Sequence, residues 1–282
     1  MKLAIFLVFL GALLCFIQAK PAHDQERLEQ LEQKEFYREN KNGRVRRAAI
    51  KERWLWPKGK VYYSFHKNLN KAGQNLAMKA MRHWMKKTCL RFYKIRKNSK
   101  RKFYAEFKYG GDCRAAIGYA RKTKQLISIG SKKKPCSLGS TIHEIGHTVG
   151  FFHEQARPDR DRHIKVLWKN MKPGKWVKDQ FKKVDKKWVN SRGHNYDYKS
   201  IMHYSPWQGA KDRKSPVMKP KKKGAKFGGR DELSDGDIAQ IKDMYKCNGK
   251  GQSKLPDYIP SPGEDEEINE ETEGPKPGDV EE

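Results

Sequence analysis

Apolar and polar positions along the chain follow two different periods. Val61, Tyr63 and Phe65 alternate with Tyr62 and Ser64, which predicts a strand over 61–65. Ala77, Met81, Trp84, Met85 and Thr88 then recur at helical spacing, predicting an amphipathic helix over roughly 70–87. Phe103, Ala105, Phe107 and Tyr109 return to period two and predict a second strand. A short β-branched run over 125–130 predicts a third. Residues 141–152 predict another helix. From 170 to 226 Lys, Gly and Pro break every period, so irregular structure is expected there. Ser234 stands three residues before Asp237, a capping box with Asp in place of Glu, and Ile238, Ile241 and Tyr245 follow. A closing helix over 235–246 is predicted. Strands and helices mix without regular alternation, which predicts the α+β class.

The two ends read differently from the middle. Lys2 precedes an unbroken apolar run over 3–17, too short and too close to the terminus to span a bilayer comfortably. Ala19 supplies the small residue of a cleavage site, so 1–19 is expected to be a signal peptide and the product to be secreted, with no membrane span after its removal. The polar Glu/Gln-rich stretch that follows ends on Arg44, Val45, Arg46 and Arg47, a basic processing site. Residues 20–47 are therefore expected to be a propeptide and Ala48 the first residue of the mature chain. Past Cys247 the chain turns to Gly, Pro and acid: 249–282 holds eleven Asp/Glu and three Lys, a composition that predicts a disordered acidic tail. One domain, 48–248, remains. Cys15 leaves with the signal, and Cys89, Cys113, Cys136 and Cys247 remain. An even set in an oxidising compartment predicts two disulfides with three possible connectivities. No CxxC occurs, which argues against a Cys-based zinc site.

Charge changes the picture next. The chain has 62 Lys+Arg against 33 Asp+Glu, a formal +29. Seven Trp, twelve Tyr and twelve Phe exclude a fully disordered polyelectrolyte. Such a charge first suggests a polyanion: nucleic acid, an acidic membrane surface or an acidic polysaccharide. Secretion and the lack of any nucleic-acid motif argue against the first. The charge is also uneven. Residues 48–248 hold fifty Lys/Arg against sixteen Asp/Glu, a body of +34 that carries a tail of −8.

The chemistry is concentrated in one window. His143, Glu144, Ile145, Gly146 and His147 form HExxH. Two His four apart on a helix share a face and can share a zinc ion, while Glu144 projects from the same helix toward a water activated there. Gly150 follows His147 by three residues and His153 follows Gly150 by three. Gly150 can take a positive φ and return His153 to the metal. Three neutral imidazoles leave a coordination position open, which marks a catalytic zinc. Five agreeing positions make HExxHxxGxxH far more specific than HExxH alone. Downstream, Ser200, Ile201, Met202, His203 and Tyr204 supply the methionine of a Met-turn.

HEIGHTVGFFHEQARPDRD followed by SIMHY resembles the astacin family of secreted zinc endopeptidases, and the likeness covers roughly 48–247. The resemblance implies a metzincin-type, two-lobed catalytic domain. Its first lobe would hold a twisted sheet and helices, including the zinc-binding helix, and its irregular second lobe a closing helix. It implies His143, His147 and His153 as ligands of one zinc and Glu144 as general base. Met202 would be the Met-turn residue. Tyr204 would be a further ligand at rest that swings away to stabilise the oxyanion. It implies disulfides Cys89–Cys247 and Cys113–Cys136, and a mature amino terminus at Ala48 buried near Glu154. The stretch 20–47 departs from the family: its only Asp is Asp24, without the neighbours of the usual zinc-capping motif.

The expected activity is hydrolysis of peptide bonds in extracellular proteins. Lys219 and Lys221, in the basic run after the Met-turn, are expected to favour an acidic residue after the scissile bond. If 125–130 lies at a sheet edge, it can pair with extended substrate. A non-enzymatic binder of acidic polysaccharide or acidic matrix is the competing reading, and the intact set of His143, His147, His153, Glu144 and Tyr204 argues against it.

Overall fold

In the computed structural model residues 49–247 are described, apart from 97, 122, 123, 191 and 228–230. The signal, propeptide, Ala48 and tail assignments lie outside the described residues. Strand β1 (Lys60–Phe65) turns Val61 and Tyr63 inward, as its alternation predicts. Helix α1 (Lys71–Lys87) begins where the Asn70 side chain accepts the Gly73 N–H, satisfying one orphan amide of the first turn. It buries the stripe Ala77, Met78, Ala80, Met81, Trp84 and Met85. Four more strands follow: β2 (Arg91–Lys94), β3 (Tyr104–Lys108), β4 (Cys113–Ala115) and β5 (Lys124–Ile129). They form one sheet in the order β2-β1-β3-β5-β4, parallel except for the antiparallel β4.

This order corrects one expectation. The segment 125–130 is β5 and lies between β3 and β4, so the edge beside it is the three-residue β4. Both β2 and β4 escape a sequence reading, because RFYK and CRA are too short and too polar to show a period.

Helix α2 (Leu138–Thr148) starts three residues earlier than its apolar pattern suggests, because Ser137 caps it by accepting the Ser140 N–H. It is buried throughout 141–148 and packs on α1, where Trp84 Nε1 donates to Ile142 O at 3.0 Å. Beyond it lie β6 (Ile164–Val166), the short α3 (Lys175–Asp179) and β7 (Met218–Pro220), which pairs antiparallel with β6. Helix α4 (Asp235–Met244) closes the domain with the predicted reciprocal box between Ser234 and Asp237.

Two apolar cores result. One joins the sheet, α1, α2 and α4 through residues such as Phe107, Ile127, Trp84, Ile145 and Ile241. The other gathers Ile164, Met171, Phe181, Tyr196, Tyr204 and Met218 from the irregular part. The α+β, two-lobed architecture is thus the expected one. Disulfides Cys89–Cys247 and Cys113–Cys136 are both formed, one tying the end of α1 to the end of the domain and the other tying β4 to the start of α2. Among the described residues no helix is long and apolar enough to cross a membrane.

Candidate active site

One helical turn apart on α2, the rings of His143 and His147 stand perpendicular with centroids 4.7 Å apart. The helix then stops abruptly. Gly150 adopts φ 110°, its N–H donates to His147 O, and Phe151 N–H donates to Gly146 O. No L side chain fits that conformation easily, and a Cβ there would lie 2.7 Å from Ile50 Cγ2. The turn delivers His153 to the other two: its Nε2 is 3.2 Å from that of His143 and 3.1 Å from that of His147.

The outer ring nitrogens set the tautomers. His143 Nδ1 lies 2.8 Å from Ile201 O and His147 Nδ1 lies 2.8 Å from Phe151 O. A carbonyl only accepts, so both Nδ1 atoms carry the proton and both Nε2 atoms aim lone pairs inward. Burial pushes His147 down to about 4, which keeps it neutral at ordinary pH. Three donor nitrogens within 4.8 Å of one another offer a cation three ligands. Glu144 is buried on the same helix, 5% exposed.

The turn around Met202 sits directly against α2. Gly146 makes this possible, since a Cβ there would come within 2.5 Å of Met202 Sδ. The turn is held from two sides. Glu154 N–H donates to Met202 O, and Asp237 accepts from Ser200 Oγ at 2.6 Å and from Ile201 N at 2.8 Å. Ile201 O is the acceptor for His143, so the N-terminal turn of α4 orients a histidine through the Met202 turn. Burial raises Asp237 to about 6, opposed by the hydrogen bonds it accepts.

Tyr204 lies beside His153 with ring centroids 4.4 Å apart and planes tilted by 59°. Its N–H donates to Gln155 Oε1, and its hydroxyl donates to Gln180 Oε1 at 3.3 Å. Glu154 lies beneath, accepting from Arg157 Nη1 at 2.9 Å and from Asp197 N at 2.8 Å, and burial lifts it to about 7 against the pull of Arg157. Arg157 also makes a forked pair with Asp159, at 2.9 and 3.0 Å. The string EQARPD is therefore a brace under the third histidine, buried over 154–157 and half-buried at Pro158 and Asp159. Ala49 and Ile50, both fully buried, bridge to Phe151 and Val189 beside it.

Lys219 lies on β7 opposite Lys165, exposed. Lys221 donates from Nζ to Asp161 O and lines an open pocket of about 500 Å³ with Arg162, His163, Tyr196, Tyr198 and Lys222. The structure thus gathers His143, His147, His153, Glu144, Gly150, Met202, Tyr204 and Glu154 around α2, and places the two lysines at the β6–β7 ribbon. Sequence reading missed Gln155, Gln180, the room Gly146 makes for Met202 and the second role of Asp237. Gln155 lies inside the HEQARPDRD string and was within reach. Gln180 carries no local signal at all.

A family model described as Astacin (Peptidase family M12A) matches residues 48–246. Nematocyst expressed protein 6 of Nematostella vectensis is 46% identical over 98% of this chain and 97% of its own length. Human Tolloid-like protein 1 is 35% identical over 78% of this chain, which spans only 22% of that longer protein. The solved structure of high choriolytic enzyme 1, a hatching enzyme zinc-protease from Oryzias latipes, aligns with a TM-score of 0.63 at 27% identity, covering 71% of this chain and 100% of that one.

Proposed function

The chain belongs to the astacin family of zinc metalloendopeptidases, and on that premise we propose that it is a secreted enzyme that cleaves extracellular proteins with one zinc held by His143, His147 and His153. The convergence of the three Nε2 atoms, two of them fixed by carbonyls on Nδ1, carries the reading. Three neutral nitrogen donors suit zinc better than the oxygen-seeking Mg²⁺ or Ca²⁺.

When bound, zinc would supply Lewis acidity, lowering the pKa of a water toward about 7 and polarising the scissile carbonyl. Glu144 takes the proton of the attacking water and passes it to the leaving amine. Its burial on α2 keeps bulk water from competing for that proton. Tyr204 donates its phenolic hydrogen to the oxyanion as charge develops there. The brace of Glu154, Arg157 and Asp159 holds His153 and the Met202 turn in register.

The mature chain begins at Ala48 in this reading, after loss of 1–19 and 20–47. The burial of Ala49 and Ile50 between Phe151 and Val189 supports it, since an attached upstream segment has to leave from a tightly packed place. An acidic preference after the scissile bond rests on the cations of the β6–β7 ribbon, Lys219 and Lys221; peptide-library cleavage without such a preference refutes that part alone.

The decisive experiment combines metal analysis with a chelator-sensitive casein assay. Glu144→Ala is expected to keep one zinc per chain and lose hydrolysis by a factor of at least about 10². His147→Ala is expected to lose the metal. Full activity of the first variant, or stoichiometric zinc in the second, overturns the assignment.

A further inference from the structure

Among the described residues four large apolar side chains stay well exposed, and three of them are tryptophans of the second lobe: Trp168 at 45%, Trp176 at 57% and Trp207 at 52%. Exposed indole is a large apolar surface left in water. They hang from segments that meet. Met171 bridges to Ala210, Lys172 N–H donates to Gly209 O, and Lys211 N–H donates to Asn170 O. Val177 of α3 packs so closely on Gly209 that a Cβ there would come within 2.9 Å of its Cγ1. Phe181, beneath, has its ring 6.5 Å from that of Trp168 and 5.8 Å from that of Tyr204.

The same segments carry Lys169, Lys172, Lys175, Lys178 and Lys211, all exposed. None has a carboxylate within 4.0 Å among the described residues, whereas Lys182 and Lys183 do. The two acids nearby are committed: Asp179 to Lys182 at 2.7 Å, and Asp212 to the amides of Lys214 and Ser215. These segments therefore offer indole and unpaired ammonium together.

We propose that these tryptophan- and lysine-bearing segments of the second lobe dock on the surface of an anionic phospholipid bilayer. Indoles favour the headgroup boundary, where one side is apolar and the other wet. Lysines near an anionic leaflet strengthen partitioning by about fivefold each. Trp168 lies against Phe181 and Phe181 against Tyr204, so a docked molecule holds its cleft close to the bilayer. Docking does not depend on catalysis and stands or falls separately from it.

The test uses the full secreted chain and sedimentation with vesicles of phosphatidylcholine alone or mixed with phosphatidylserine, near physiological salt. The chain is expected to sediment with the mixed vesicles and not with phosphatidylcholine alone, and its tryptophan emission is expected to shift to the blue. Replacing Trp168, Trp176 and Trp207 by Ala is expected to lower partitioning at least tenfold, with peptide hydrolysis retained as proof of folding. Lys172→Gln with Lys175→Gln, kept as a second variant, is expected to cost about 25-fold from the same per-lysine factor. Undiminished partitioning of the triple variant overturns the proposal. So does sedimentation without a spectral shift, and so does retention on heparin with no binding to vesicles.

Discussion

Gly150 and Gly146 show how much of this site rests on single residues. Gly150 is needed twice, for its φ of 110° and for the space Ile50 occupies. Gly150→Ala is expected to cost about 2–3 kcal/mol, the sum of backbone strain and overpacking, and to weaken metal binding at least tenfold by displacing His153. Denaturant unfolding and chelator competition measure the two effects. Gln180 is a subtler case. As acceptor for the Tyr204 hydroxyl it aims the phenol, so Gln180→Leu is expected to lower kcat with little change in KM and with full zinc content, checked by steady-state kinetics on a fluorogenic peptide. Acidity acts on His147. In the metal-free protein His147 remains neutral to about pH 4, while the unfolded chain takes up that proton near 6.5. The folded pKa is the lower one, so this contribution to stability is complete above 6.5 and is lost as pH falls toward 4. Urea midpoints of the metal-free protein are expected to fall across that window, and less so in His147→Asn. The histidines themselves were legible, because local helix geometry converts their spacing into proximity. Gln180 was not, because only folding brings α3 to Tyr204.

At the scale of elements, α4 does two jobs with one capping box. Ser234 and Asp237 satisfy the first turn of the helix, and Asp237 also receives the Ser200 hydroxyl and the Ile201 amide. The two jobs can be separated. Ser234→Ala removes a cap and is expected to cost about 1 kcal/mol, lowering Tm by about 2–4 °C for a domain of this size and leaving metal affinity unchanged. Asp237→Asn turns an amide donor toward at least one of the donors that the carboxylate accepted. It is expected to lower both stability and metal affinity, because Ile201 O steers His143. Scanning calorimetry and zinc titration of the two variants give the comparison. The cap was visible in the sequence as a local pattern, as were β1, β3, β5, α1 and α4. The helix α2 was misplaced by three residues at its start and four at its end, because Ser137 and Gly150 set its limits against an apolar run that continues past both. Strands β2, β4, β6 and β7 went unseen, since each is held by partners and not by its own period.

For the whole molecule, the two disulfides and the charge set opposite limits. Cys89–Cys247 closes a separation of 158 residues and Cys113–Cys136 one of 23. Loop entropy assigns them about 5 and about 3.5 kcal/mol respectively. Replacing Cys89 and Cys247 by Ala is therefore expected to destabilise the domain more than replacing Cys113 and Cys136, as read by guanidinium unfolding at equal pH. Against this stands the body charge of +34 over 48–248. Self-repulsion at that density weakens the compact state and is screened by salt.

The sequence by itself determined the family, the three histidines that could hold a metal, the carboxylate we propose as acid–base and the uneven spread of charge along the chain. Those properties are either local, set by the 3.6-residue helical period and the freedom of one glycine, or additive, like charge. Only the tertiary structure decided the rest: that β4 and not β5 is the edge, that Gly146 makes room for Met202, that Gln180 meets Tyr204, and that the segments bearing three exposed tryptophans meet in the second lobe. Each of these depends on segments far apart in the chain packing into the same space. No pattern along the chain records which of them will meet.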